Sequence, residues 1–150
     1  MRLAAFEPDI PQNLGAMIRL CACLAVPIDV IGPCGFPFSV KALRRSAMDY
    51  ADIAEIAHHD DFASFERARR PARLIVLSTG STQNLWDFNF FSDDILLVGR
   101  ESAGVTPDVL ASADESLLLP MPGGGRSLNV AQCAGIALSE ALRQNNHWTT

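Results

Sequence analysis

No segment of the chain carries GxxxxGK[ST], so the phosphate cradle of a P-loop nucleotidase is missing. No GxGxxG follows the first apolar run, which removes the standard dinucleotide fingerprint. There is no GxSxG elbow, and no histidine stands in the glycine-rich stretches to activate a serine. The four cysteines, Cys21, Cys23, Cys34 and Cys133, form no CxxC, and no Cys/His spacing suggests zinc; no metal is expected. They read as small core residues in a reducing compartment. No apolar run approaches the length of a bilayer span. The start, MRLAAFEPDIPQN, meets acids and prolines too soon for a signal peptide. A cytoplasmic protein with no membrane partner is the expectation.

Positive charge is scarce as well. The net charge of −5 argues against indiscriminate nucleic-acid binding. Lys41 is the only lysine; every other basic residue is arginine, which suits bidentate phosphate contacts but is also a common result of GC-rich coding. The cations gather in two places, Lys41 with Arg44 and Arg45, and Arg67 with Arg69, Arg70 and Arg73. A solvated helix face explains such clusters more often than RNA does. The adjacent His58 and His59 end a strand-like run and read as a solvated edge.

What is present is an ordinary globular composition, 49% hydrophobic and 19% charged, in 150 residues. That length fits one domain over 1–150, with no linker, repeat or low-complexity tract. Leu3 to Phe6 reads as a first strand. Asn13 is placed to cap a helix whose apolar stripe is Leu14, Met17, Ile18, Cys21, Leu24 and Ala25. Arg19 falls off that stripe, either as a surface arginine or, with Asn13, flanking one end of a site. Ile28 to Ile31 is a second strand. Ser39 to Ala47 reads as a helix, Asp52 to Ala57 as a strand, and Asp60 or Asp61 as the cap of a helix through Phe62 and Phe65 to Arg69. Strands at 74–77, 94–98 and 117–119 each run into a polar, flexible loop, and Pro107 opens a short helix over 108–112. Strands alternate with helices, and the later strands are apolar on both faces. That is the pattern of an α/β domain with a mostly parallel sheet covered on both sides, in which ligands bind at the carboxyl ends of the strands.

The stretch Leu117 to Gln144 concentrates these signals. An apolar strand breaks at Pro120 and Pro122 and opens into Gly123, Gly124 and Gly125. Arg126, Ser127 and Asn129 follow, and then a helix-period run from Val130 to Leu142. Glycines let the backbone approach a ligand, and the first amides of a helix are unsatisfied donors. Ser127 or Asn129 is available as the cap. A plain strand-to-helix connection explains the cap but not three glycines bracketed by prolines and an arginine. The remaining polar groups, Arg19, Arg100, Glu101, Arg126, Ser127 and Asn129, suit binding and positioning more than acid–base hydrolysis.

Three stretches in this order, Asn13 to Arg19 (NLGAMIR), Leu97 to Gly104 (LVGRESAG) and Leu119 to Asn129 (LPMPGGGRSLN), carry a resemblance over nearly the whole chain. Glu7 to Pro11 and Leu43 to Tyr50 add to it. The sequence resembles the SPOUT-class RNA 2′-O-ribose methyltransferases, most closely the small subgroup acting on the wobble nucleotide of tRNA. The resemblance implies an α/β fold with a C-terminal trefoil knot, a homodimer with active sites at its interface, and S-adenosylmethionine as methyl donor. It implies cofactor contacts in the loops at 77–79, 99–104 and 119–127, here Leu77, Ser78, Thr79, Gly99, Glu101, Gly104, Leu119, Met121, Ser127 and Leu128. It gives Arg19 the activation of the ribose hydroxyl, with Asn13, Glu101, Ser127 and Asn129 in support. Without an added RNA-binding domain, tRNA is expected to be gripped by Arg19, Lys41, Arg44, Arg45 and Arg126, with the 67–73 cluster as a further candidate. Rival expectations are methylation of another RNA site and a knotted module that binds cofactor or RNA without catalysis.

Overall fold

The computed structural model describes residues 1–39, 50 and 53–148. Seven strands form one sheet: β1 (Arg2–Phe6), β2 (Ile28–Ile31), β3 (Ile56–His59), β4 (Leu74–Leu77), β5 (Gln83–Asn84), β6 (Ile95–Val98) and β7 (Glu115–Leu118). Their order is β3-β2-β1-β6-β4-β7-β5, and all of the pairings are parallel. Among the described residues the α-helices are α1 (Pro11–Cys23), α2 (Phe62–Arg69), α3 (Pro107–Ser112) and α4 (Val130–Gln144). None is long and apolar enough to cross a membrane among the described residues.

The period of two in the strands splits the core into two layers. Leu3, Ala5, Ile28, Val30, Ile75, Leu96, Val98 and Leu117 face one side and pack under Leu14, Met17, Ile18 and Cys21 of α1 and Ala134, Ala137, Leu138, Ala141 and Leu142 of α4. Ala4, Phe6, Ile31, Leu74, Val76, Ile95 and Leu97 face the other side, against Phe65 of α2 and Val109 of α3. Burying both faces is what makes these strands read as continuous apolar runs. Small residues on α4 bring it close to α1; a methyl group at Gly135 would lie 3.7 Å from the Leu20 side chain.

Several expected boundaries move. Asn13 does not cap α1: the helix opens at Pro11, whose missing N–H is no loss at that position, and no side chain caps it. The helix ends at Cys23; Ala25 takes a positive φ of 52°, so Leu24 and Ala25 leave the stripe. β3 covers 56–59 instead of 52–57, and β7 covers 115–118 instead of 117–119. The expected helix over 39–47 falls almost wholly outside the described residues. Asp61, not Asp60, caps α2, accepting the Ser64 amide at 2.7 Å.

β3 is an edge strand, but its histidines are not simply solvated. His59 Nε2 lies 2.8 Å from Oδ1 of the buried Asp29, which also accepts Arg2 at 2.7 Å, and His58 stacks on Phe38. Of the cysteines only Cys21 is core, and burial pushes its thiol up to about 12; Cys23 is exposed, Cys34 and Cys133 are half-buried, and all four are free.

The 67–73 arginines are largely committed to the fold. Arg69 is buried and donates to Glu66, to Asp114 at 3.0 Å and to the Ala72 and Ser112 carbonyls. Arg73 grips the fully buried Asp94 at 2.7 and 2.8 Å and lies over the Phe91 ring. Arg70 pairs with Glu66 at 2.5 Å. These contacts lie around the amino ends of β4 and β6, and a cation already satisfied there gains little from a phosphate. That applies to Arg69 and Arg73; Arg67 and Arg70 remain exposed.

Candidate active site

The carboxyl ends of β4, β6 and β7 converge on one pocket of about 550 Å³. Leu77, Ser78 and Thr79 supply one wall, the 99–104 loop a second, and Leu118, Leu119, Met121 and the residues entering α4 a third. All ten residues expected at a cofactor, from Leu77 through Leu128, line it.

Each loop has a local cause. After β6 the chain folds back on itself: the Arg100 amide donates to the Gly104 carbonyl at 3.1 Å, and the Gly104 amide returns the bond to Arg100 at 2.8 Å. A Cβ at Gly99 would stand 2.4 Å from the Gly104 carbonyl carbon, and Gly104 itself has φ +65°, so both positions require glycine. In the last loop Gly124 turns with φ +78°, and a Cβ on any of Gly123, Gly124 or Gly125 would meet nothing within 4 Å. These glycines leave open space beside the pocket; they do not serve internal packing.

Asn129 is the cap of α4. Its Oδ1 accepts the amides of Ala131 at 2.9 Å and Gln132 at 3.4 Å. Its Nδ2 donates to Oδ1 of Asn13 at 2.8 Å, so one side chain ties the start of α4 to the start of α1. Ser127 lines the pocket without capping.

The loop between β1 and α1 braces the second wall. Glu7 pairs with Arg100 at 3.2 Å, and Asp9 accepts from the Glu101 amide and the Ser102 hydroxyl. Hydrogen bonding with Glu101 and Ser102 holds the Asp9 carboxyl down to about 2. Glu101 Oε1 is buried without a partner, as is Arg100 Nε. Both atoms are closed off from solvent, so neither faces the open space of the pocket.

Asn13, Glu101, Ser127 and Asn129 therefore share the pocket, whereas Arg19 does not. Six residues along α1 from Asn13, Arg19 is turned by roughly 240° and is exposed, with its guanidinium carbon 4.8 Å from the centre of the Tyr50 ring. Arg126 is exposed and also outside the lining. Lys41, Arg44 and Arg45 lie outside the described residues. Sequence reasoning missed Asp9, Ile10 and Cys133. Cys133 had a signal, since it stands four residues after Asn129 and so on the same helix face; Ile10 and Asp9 depend on how two distant loops meet.

A second concave surface, on the outer side of α4, is lined by Trp86, Leu128, Gln132, Gly135, Ile136, Ser139, Glu140 and Arg143. Trp86 is 51% exposed, Leu128 43% and Ile136 36%. Leu128 belongs to this surface and to the pocket.

The profile of the SpoU rRNA Methylase family matches residues 1–139. A protein of Beijerinckia indica named tRNA (cytidine(34)-2′-O)-methyltransferase is 50% identical over 144 residues, 95% of this chain and 90% of its own. A structure solved for insights into the 2-OH methylation of C/U34 on tRNA superposes with a TM-score of 0.90 at 40% identity, covering 97% of this chain and 95% of its own. The SpoU methyltransferase AviRb of Streptomyces viridochromogenes, solved in complex with AdoMet, has a TM-score of 0.84 at 26% identity, covering 97% of this chain and 58% of that one.

Proposed function

The chain belongs to the SpoU rRNA Methylase family, and from that premise we propose that it moves a methyl group from S-adenosylmethionine to the ribose 2′-hydroxyl of nucleotide 34, a cytidine or modified uridine, in tRNA. The observation that carries this reading is the extent of the likeness. The relative named for that reaction is 50% identical over 95% of the chain.

The pocket fits the cofactor. Its wall sets polar Ser78, Thr79, Glu101 and Ser127 beside apolar Leu77, Leu119 and Met121, which suits a ligand that is part charged and part flat and apolar. When bound, S-adenosylmethionine supplies a methyl group already activated on a sulfonium. The protein is left with alignment, which in favourable cases is worth about 7–11 kcal/mol. The three strand ends, Gly99 and the open glycines shape the cradle, while Asn129 and Asn13 hold its mouth. A ribose hydroxyl is a poor nucleophile until its developing negative charge is stabilised. Arg19 does that work as positioner and charge stabiliser, because free guanidinium is not deprotonated in proteins; an RNA phosphate is the proton acceptor.

The outward position of Arg19 supports a homodimer in which it serves the pocket of a second copy. The apolar surface on α4 supports the same arrangement, since a copy seated there reaches Leu128 and so the pocket edge. The whole chain, 1–150, acts as one methyltransferase domain in the cytoplasm, without metal. Its segment after β7 forms the trefoil knot, a reading supported by the return of α4 across β6 to α1 after β7 has inserted between β4 and β5. Lys41, Arg44, Arg45 and Arg126 hold the tRNA. Incubation with methyl-labelled S-adenosylmethionine and total tRNA tests the function: label recovered in 2′-O-methylated cytidine or uridine supports it, and label confined to bases, or none, refutes it.

A further inference from the structure

We propose that Asp9, which does not itself line the pocket, is a positioning residue for the cofactor: it fixes Glu101 and Ser102, and with them the wall that the 99–104 loop gives the pocket. The inference rests on the function proposed above and deepens it.

The contact is reciprocal. The Asp9 amide donates to Glu101 Oε2 at 3.1 Å, and the Glu101 amide donates to Asp9 Oδ1 at 3.1 Å. The Ser102 hydroxyl donates to Asp9 Oδ2. Both Asp9 oxygens are thus spent on the 99–104 loop, and one Glu101 oxygen is spent on the Asp9 backbone. The other, Oε1, is buried and unpartnered. A carboxylate free to rotate would turn that oxygen to water or away from the like charge of Asp9. The two amide bonds and the hydroxyl hold the pair together despite the repulsion.

Asp9 is also held from behind. The Gly35 amide donates to the Pro8 carbonyl at 2.9 Å, and a Cβ at Gly35 would come within 2.7 Å of Asp9 Cβ. The β1–α1 loop is therefore clasped between the 32–38 turn and the 99–104 loop, and Asp9 transmits that fixed position to Glu101. A wall already held in place costs less ordering when the ligand binds, so loosening it weakens affinity.

Titration calorimetry with S-adenosylhomocysteine, alongside steady-state methyl transfer, tests the inference. Asp9→Ala should weaken binding roughly tenfold and raise KM for S-adenosylmethionine similarly, with kcat at saturation within about twofold. Asp9→Asn should recover binding to within about threefold, because its amide oxygen still accepts from Glu101 and its NH₂ can donate to the Ser102 hydroxyl. Where Asp9→Ala fails to fold, Ser102→Ala, which removes one of the three bonds, should weaken binding about threefold with its melting temperature intact. Wild-type affinity in a folded Asp9→Ala or Ser102→Ala variant overturns the inference. So does a fall in kcat without a rise in KM, or an Asp9→Asn variant no better than Asp9→Ala. Failure of the wild-type protein to bind the probe overturns instead the function on which the inference rests.

Discussion

Asn129 Nδ2 lies 2.8 Å from Asn13 Oδ1, and through that bond the capping residue of α4 is fastened to the first turn of α1. Two tasks meet in one side chain, and substitution can separate them. Asn129→Ala loses both and should cost about 1 kcal/mol, a fall in melting temperature of roughly 2–4 °C. Asn129→Asp can still cap, but it has no N–H for Asn13. It should melt near the wild-type temperature while methyl transfer falls at least tenfold. Equal activity in Asn129→Asp and wild type would mean that the link to Asn13 carries no part of the reaction.

Arg19 is absent from the pocket of its own chain. Arg19→Ala should therefore lower kcat about 10²–10³-fold, the usual cost of losing a charge-stabilising donor, and leave S-adenosylhomocysteine affinity within about twofold. If the residue serves a second copy, mixing Arg19→Ala protomers with Glu101→Ala protomers, each inactive alone, should restore about a quarter of wild-type activity, because half the dimers then contain one complete site. No recovery after verified exchange of subunits would place Arg19 in the site of its own chain.

Replacement of Arg44 and Arg45 by alanine should weaken tRNA binding and flatten the slope of log affinity against log salt by about 1–2. Arg73→Ala should leave that slope alone and lower the melting temperature, since its guanidinium is held by Asp94. Filter binding across a salt series distinguishes the two; an unchanged slope for the double variant refutes the placement.

Two carboxyls give folding an acid limit. Asp9 is held down to about 2 by bonds with Glu101 and Ser102, and Glu140 to about 2 by Arg143 and Gln144. In the unfolded chain they titrate near 3.9 and 4.3. Folded values below unfolded ones mean that the stabilisation is complete above the unfolded values and is lost as pH falls through the folded ones. The melting temperature should hold above about pH 5 and decline from there to about pH 2. Glu140→Gln should lie below wild type at neutral pH, with the gap closing toward pH 2. A gap constant with pH would exclude Glu140 from the transition.

The loops that build the pocket were legible because glycine, proline and capping residues announce backbone geometry locally. Gly99, Gly104 and the 123–125 run stand where a tight return or open space demands them. Ser127 and Asn129 were indistinguishable as caps until the helix start was fixed at Val130. Asn13 misled in the opposite way: it has the right chemistry for a cap, but Pro11 already starts the helix, so the side chain is free for Asn129. Arg69 has a local partner in Glu66, but its bond to Asp114 and that of Arg73 to Asp94 could not be read, because those acids are 45 and 21 residues away. β5, two residues long, exists only because β7 offers it an edge. The clasp between Asp9 and Glu101 joins residues 92 apart and is likewise a product of the sheet order.

The central claim is that a single hydroxyl receives the methyl group. A tRNA substrate assembled with one 2′-deoxynucleotide at position 34, and otherwise all ribose, removes that hydroxyl and nothing else. With labelled S-adenosylmethionine the all-ribose tRNA should take up about one methyl per molecule at saturation, and the deoxy-34 tRNA none. Equal labelling of the two would contradict the account.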